Sequence, residues 1–249
     1  MTALTSHAGS HDPMGALLLD AWKHEGAPGR VFEVMERSDG WIGVADSATY
    51  FTRYEEWADL DRRLMDRTRG KVLDIGCGAG RHSRHLIEEG YEVLAIDTSP
   101  GAVQVANLQK VPALVGSAAS IPAPGSSFDT ILLMGQNLGL LEGRQHAQSV
   151  LAEIHRVARP GAQILASGID PYINDDPVRQ AYRERNRAAG RLPGQMSLRI
   201  RYRHMASPYF DYLFCSREEL EDILLGTAWH LEQFSTTGSA GYTAVMSAA

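Results

Sequence analysis

Hydrophobic positions along the chain switch between short unbroken runs and helix-period stripes. Val72-Leu73-Asp74-Ile75, Val93-Leu94-Ala95-Ile96, Ala113-Leu114-Val115-Gly116, Phe128-Asp129-Thr130-Ile131-Leu132-Leu133-Met134 and Ile164-Leu165-Ala166-Ser167-Gly168-Ile169 are runs of strand length. That is the pattern of strands buried on both faces. Residues 81–89, 99–108 and 145–157 carry helical spacing between them, which predicts a β-α-β alternation and a mostly parallel sheet. The punctuation agrees. Gly90 and Gly226 are helix stops, and Ser99 before Pro100 and Ser216 three residues before Glu219 are helix starts. Residues 231–236 and 242–247 form a final predicted strand pair about Gly238-Ser239-Ala240-Gly241.

Outside this core the pattern is less regular. Residues 2–13 read as a loose tail and 16–24 as a short helix with a Leu17-Leu18-Leu19 cluster. Residues 31–44 carry Asp39-Gly40 between two apolar stretches, so a hairpin is expected, with a helix broken at Gly40 as the alternative. Tyr50, Tyr54, Trp57, Leu60 and Leu64 recur at helical intervals, which predicts one helix over 49–67. Residues 177–189 read as a polar helix carrying Arg179, Arg183, Arg185 and Arg187. Residues 197–205 alternate: Leu198, Ile200, Tyr202 and His204 share one face and Arg199, Arg201 and Arg203 the other, with 209–214 as the partner strand across Ser207-Pro208.

Composition narrows the class. The chain has 249 residues and a formal net charge of −6, enough for one sizeable core and unfavourable for broad attraction to nucleic acid. Its only cysteines are Cys77 and Cys215, which argues against a disulfide framework. No apolar run approaches the ~20 residues of a membrane span, and residues 1–11 lack a secretory pattern, so a cytoplasmic location is expected.

The candidate chemistry lies between Gly70 and Asp97. Gly76-Cys77-Gly78-Ala79-Gly80 joins the first strand to a helix, and Asp97 closes the second strand. Glycines permit a sharp turn and close approach of a ligand, and an acid at that strand tip can accept hydrogen bonds from ribose hydroxyls. A dinucleotide fingerprint would need glycine where Arg81 stands, and Asp74 precedes the first glycine by two residues. The D-x-G-x-G-x-G stretch resembles motif I of class I S-adenosylmethionine (SAM) methyltransferases. The Phe128-Asp129 pair and Arg159-Pro160-Gly161, as a turn before the fifth strand, are similar to the same family.

The resemblance implies an α/β Rossmann-like sheet of seven strands, order 3-2-1-4-5-7-6 with the last antiparallel, plus N-terminal lid helices and an α+β insertion. It divides the chain into a tail and lid (1–68), a SAM-binding core (69–170), a substrate-capping insertion (171–215) and a C-terminal helix and strands (216–249). It implies that Asp74, Gly76, Cys77, Gly78, Gly80, Asp97 and Thr98 hold the cofactor, with Gln136 from the loop after the fourth strand. Tyr50 and Arg53 are its lid candidates for the methionine end. Ser117 and Ala118 stand where many members have an acid for the adenine amino group.

Asn137 follows the fourth strand, where donor and acceptor should meet, and is read as a functional residue rather than a plain turn-former. Tyr54, Asp170, Tyr172 and His204 are candidate bases or substrate contacts by position, although His204 also reads as a core histidine. The insertion's arginines are either a solvated face or, as for Arg201, a clamp for an anionic acceptor. His82 and His85 read as surface residues, not a metal site. The expected function is methyl transfer to a small-molecule O- or N-nucleophile. A tRNA or protein methyltransferase and a SAM-binding module without transfer are the alternatives, and monomer or homodimer is open.

Overall fold

The structure is a computed structural model and describes residues 12–173 and 176–248. Helix α1 (Pro13–Lys23) starts at Asp12, whose carboxylate accepts from Gly15 N at 2.8 Å. Asp12 also accepts from Ser99 Oγ at 2.8 Å and Gly101 N at 3.0 Å, so residues 12–13 are pinned to the core, not loose as expected. The remainder of the proposed tail, 2–11, lies outside the described residues.

The Asp39-Gly40 hairpin forms as expected, joining β1 (Phe32–Arg37) to β2 (Ile42–Asp46). The single helix expected over 49–67 does not form. Two 3-10 turns, Ser47–Phe51 and Tyr54–Glu56, precede a short α2 (Asp59–Met65). Tertiary contacts outcompete the local helix here. Arg81 Nη1 donates to the Thr49 carbonyl at 2.9 Å, and Arg53 N donates to Glu56 Oε2 at 2.7 Å instead of to that carbonyl. Thr52, Trp57 and Ala58 are extended.

The core follows as β3 (Val72–Ile75), α3 (Arg81–Glu88), β4 (Val93–Asp97), α4 (Pro100–Leu108), β5 (Ala113–Val115), β6 (Phe128–Leu133), α5 (Arg144–Val157) and β7 (Ala158–Ile169). Ser99 caps α4 by accepting from Ala102 N. The Arg159-Pro160-Gly161 segment is not a separate turn. It is a bulge at the start of β7, where Gly161 takes φ +74° and the pairing with β6 slips.

The insertion comprises α6 (Pro177–Ala188), β8 (Gln195–Tyr202), β9 (Met205–Ala206) and β10 (Phe210–Leu213). The chain ends in α7 (Arg217–Leu224), with its Ser216–Glu219 capping box, β11 (Trp229–Thr236) and β12 (Gly241–Ala248).

The main sheet has the order β11-β12-β7-β6-β3-β4-β5. Counting the core strands in sequence, this is the expected 3-2-1-4-5-7-6, with β12 antiparallel to β7. Its centre is apolar on both sides: Leu73, Ile75, Ile131, Leu132, Leu133 and Ile164 are all fully buried. Reversal of strand order beside β3 leaves a crevice at the carboxyl ends of β3 and β6, where open α/β sheets bind ligands.

A second sheet, β10-β8-β1-β2, links parts of the chain that are far apart in sequence. β1 pairs antiparallel with β8, Met35 opposite Ile200, so the N-terminal hairpin and the insertion form one layer. His204 does not sit on its apolar face. β8 ends at Tyr202, Arg203 turns with φ +53°, and His204 is exposed in the turn to β9. Among the described residues no helix is long and apolar enough to cross a membrane.

Candidate active site

The glycine turn is anchored from below. Gly76 N and Cys77 N both donate to the Ile96 carbonyl, at 2.8 and 3.0 Å, tying the turn to the tip of β4. Gly76 and Gly78 take φ +74° and +56°, a conformation costly for any residue with a Cβ. Asp97 Oδ2 then accepts from Gly78 N at 2.9 Å, and Oδ1 accepts from Ser99 N at 2.9 Å. Each oxygen keeps a second lone pair, and the residue is only half-buried, so the carboxylate can take further donors from the crevice side. Burial raises its pKa, opposed mainly by the Ser99 and Gly78 amides.

Asp74 lies deeper and fully buried. Its Oδ2 accepts from Ser83 Oγ at 2.6 Å, and burial pushes its carboxyl up to about 6 against that hydrogen bond. Asp74 therefore braces the turn against α3. Cys77 is buried, with its thiol against the Gly78 carbonyl and its pKa raised by burial.

The loop after β6 forms the other lip. Gln136 is exposed with φ +73°, and its backbone N donates to Ser167 Oγ at 2.9 Å. Asn137 Nδ2 donates to the Ile75 carbonyl at 2.9 Å and the Gly76 carbonyl at 2.8 Å. Both amide hydrogens are thereby committed to holding the two lips together, which makes Asn137 a positioning residue in this arrangement.

The second sheet and the 3-10 turn after β2 close the crevice from above. Tyr50 lays its ring over Gly78, whose Cβ, if present, would lie 3.3 Å from Tyr50 Cδ1. The Tyr50 hydroxyl donates to Glu33 Oε2 at 2.8 Å. Tyr212 on β10 reaches across to donate to the Gln136 carbonyl at 2.8 Å, and its ring rests on Gly139. The charge on Glu33 raises the pKa of both tyrosines, after burial as the larger cause. Glu33 and Tyr212 were not singled out from the sequence. The one available signal was the pairing of β1 with the insertion, which no local pattern carries.

The remaining candidates fall elsewhere. Arg53 and Thr98 are exposed, Thr98 beside Asp97, while Ser117 and buried Ala118 lie in a turn just past β5 closed by a Ser117–Ser120 backbone bridge. Tyr54 stacks on His85 at 4.3 Å and donates to Asp66 at 3.1 Å, and neither contact reaches the glycine turn. Asp170 accepts from Tyr172 N at 2.8 Å, and Tyr172 Oη donates to Glu219 at 2.6 Å. Arg201 donates to Glu36 on the face of the second sheet away from the crevice.

His82 is not a surface residue as expected. It is 5% exposed, packs edge-on against Trp57 at 4.7 Å, and its Nε2 has no partner among the described residues. Burial, with the neighbouring Arg81 charge, depresses its pKa and keeps it neutral.

Residues 72–161 match the family model described as a methyltransferase domain. A malonyl-[acyl-carrier protein] O-methyltransferase of Serratia marcescens is 32% identical over 124 residues, covering 46% of this chain and 47% of that protein. A demethylmenaquinone methyltransferase of Geobacillus kaustophilus is 31% identical over 155 residues, covering 57% of this chain and 64% of that protein. The chain thus spans about half to two thirds of the length of these two relatives. A crystal structure of a SAM-dependent methyltransferase from Bacteroides fragilis, in complex with S-adenosyl-L-homocysteine, superposes with a TM-score of 0.81 at 23% identity, covering 100% of this chain and 98% of that one. This last likeness includes the second sheet, because it extends over the whole chain.

Proposed function

We propose that this chain, which carries a class I methyltransferase domain, transfers a methyl group from SAM to a small-molecule acceptor. One observation carries the reading of its cofactor site. Asp97 at the tip of β4 is tied to Gly78 N, in a turn whose positive φ angles keep its surface bare of side chains. That is a hydrogen-bond acceptor for a pair of ribose hydroxyls beside a wall that a ligand can approach closely.

The residues present fit the group. Asp97 has unused lone pairs for the ribose, the Gly76–Gly80 turn flanks the remainder, and Tyr50 covers it from the 3-10 turn that follows β2. Gln136, Ser117 and Thr98 follow the carboxyl ends of β6, β5 and β4. When bound, SAM supplies an activated methyl on a sulfonium, so the protein's task is to align a nucleophile and keep water out. Alignment is worth up to about 7–11 kcal/mol. Asn137 contributes by holding the loop after β6 against the glycine turn, and Tyr212 by tying the roof to that loop. The roof excludes water from the space between.

A small acceptor is favoured over a polyanion. Five arginines of the second sheet and its flanks are paired with acids: Arg199 and Arg201 with Glu36, Arg203 with Asp20, Arg185 with Asp39 and Arg191 with Asp211. Paired guanidinium groups offer little to a phosphate backbone.

Titration calorimetry with S-adenosylhomocysteine, followed by incubation of the protein with methyl-labelled SAM and fractionated metabolites, tests this function. Tight binding and label transferred into a low-molecular-weight fraction are expected. A protein that binds neither SAM nor its product refutes the proposal.

A further inference from the structure

β1 buries the wrong residues for its sequence. Phe32 and Val34 would be assigned to the inside of a half-buried strand and Glu33 to solvent. Instead Phe32 is 46% exposed and Glu33 only 4%. An isolated buried carboxylate is costly, so a chain keeps one where a particular interaction needs it.

The surroundings of Glu33 locate that need. Its side-chain hydrogen bond, among the described residues, comes from Tyr50, whose ring covers Gly78 of the glycine turn. Tyr212 on β10 also feels its charge and reaches the Gln136 carbonyl. Asp97 on β4 acts on the same Tyr50. From α3, Arg81 is turned to the Thr49 carbonyl and Thr52 hydroxyl. On α1, Asp20 is taken by Tyr202, Lys23 and Arg203. No cation among those neighbours pairs with Glu33. The carboxylate thus stands over the crevice, between the turn that flanks SAM and the loop after β6.

We propose that Glu33 is the acceptor-facing base of this enzyme and that its acceptor is a proton-bearing nucleophile, an amine or a hydroxyl, and not a carboxylate. This inference rests on the methyltransferase reading above. In the step, the lone pair of the acceptor nitrogen or oxygen forms the new bond to the methyl carbon. The sulfur–methyl bond breaks with its electrons retained on sulfur, giving neutral S-adenosylhomocysteine. The proton leaving nitrogen or oxygen passes to Glu33 through Oε1, the oxygen that Tyr50 does not hold. Burial raises the pKa of Glu33, partly offset by Tyr50, which makes it a stronger base than an exposed glutamate. The same buried negative charge repels a carboxylate acceptor.

The test uses the full chain with SAM and three compound panels: amines, phenols and carboxylic acids, scored by S-adenosylhomocysteine formed. Turnover is expected with amines or phenols and not with carboxylic acids. With the best acceptor, Glu33→Gln should lower kcat at least ~100-fold and abolish the acidic limb of the kcat profile, while S-adenosylhomocysteine affinity stays within about twofold. Glu33→Asp should recover part of kcat. Tyr50→Phe removes the hydrogen bond that lowers the Glu33 pKa and should move the acidic limb to higher pH. Turnover confined to carboxylic acids overturns the proposal, as does an unchanged profile in Glu33→Gln or Tyr50→Phe. So does silence in the amine and phenol panels from a protein that binds SAM. Failure to bind SAM at all would count instead against the methyltransferase reading.

Discussion

Two glutamates three residues apart on β1 experience opposite environments. Glu36 points outward, where Arg199, Arg201 and Tyr209 donate to it and hold its carboxyl down at about 2. Glu33 points inward, accepts from Tyr50, and is pushed up by burial. The outer face satisfies its charges within itself. The inner face leaves a carboxylate undercompensated beside Tyr50, Tyr212 and the glycine turn. An odd-numbered separation on a strand is enough to produce both, because successive side chains point to opposite faces.

The largest effect that sharpens this contrast is on the floor of the inner side. Asp97→Ala removes the carboxylate proposed to accept from the two ribose hydroxyls and should cost about 3 kcal/mol or more of S-adenosylhomocysteine affinity, over 100-fold by calorimetry. Unchanged affinity would remove Asp97 from the site.

Inner acids should also penalise the ligand-free protein as pH rises. Asp74 titrates at about 6 in the folded chain against 3.8 unperturbed, so between those values the folded state holds the proton that the unfolded state has lost. Stability therefore falls as pH climbs through that window and is flat above it, by about 3 kcal/mol in all. Denaturant melts of wild type and Asp74→Asn from pH 3.5 to 7.5 should show a shallower decline in the variant. Parallel curves would mean that Asp74 titrates normally.

A smaller effect probes how the roof is seated. A Cβ at Gly139 would lie 2.2 Å from Tyr212 Cε1, so Gly139→Ala must push β10 off the loop after β6. A loss of about 1–3 kcal/mol is expected, with reduced turnover. A crystal structure of the variant with Tyr212 still on Gln136 would contradict the tight seating.

The smallest effect belongs to the outer face. Arg201→Ala, in a half-exposed ion pair, should leave melting temperature, S-adenosylhomocysteine affinity and acceptor KM at wild-type values. A raised acceptor KM would instead revive the anion clamp and blur the distinction between the faces.

Much of the core was legible because its signals are local. Ser99 and Ser216 are caps wherever they stand before a helix, and Asp74 with Gly76, Gly78 and Gly80 is readable without knowing any partner. The helix expected over 49–67 failed for the opposite reason. The Thr49 carbonyl and the Thr52 hydroxyl were claimed by Arg81, a residue of another element, and Tyr50 and Tyr54 ended on different sides. His82 was misread because a histidine beside arginine on a glycine-led helix looks solvated until Trp57 covers it. For Asn137 the position was readable, but the commitment of its amide to two carbonyls was not.

The sequence by itself determined the strand runs, the bare turn and the acid after it, since each depends on neighbours within about thirty residues; the order of the main sheet, whose pairings join segments as far apart as Ile169 and Gly241, was legible only through the family resemblance. Only the tertiary structure decided that β1 pairs with β8 and which face of β1 looks inward. Alternation with a period of two states that a strand has two faces and is silent on which is covered. That choice is made by hydrogen bonding between segments more than 160 residues apart, Val34 opposite Arg201, and it is what carries Glu33 over the crevice.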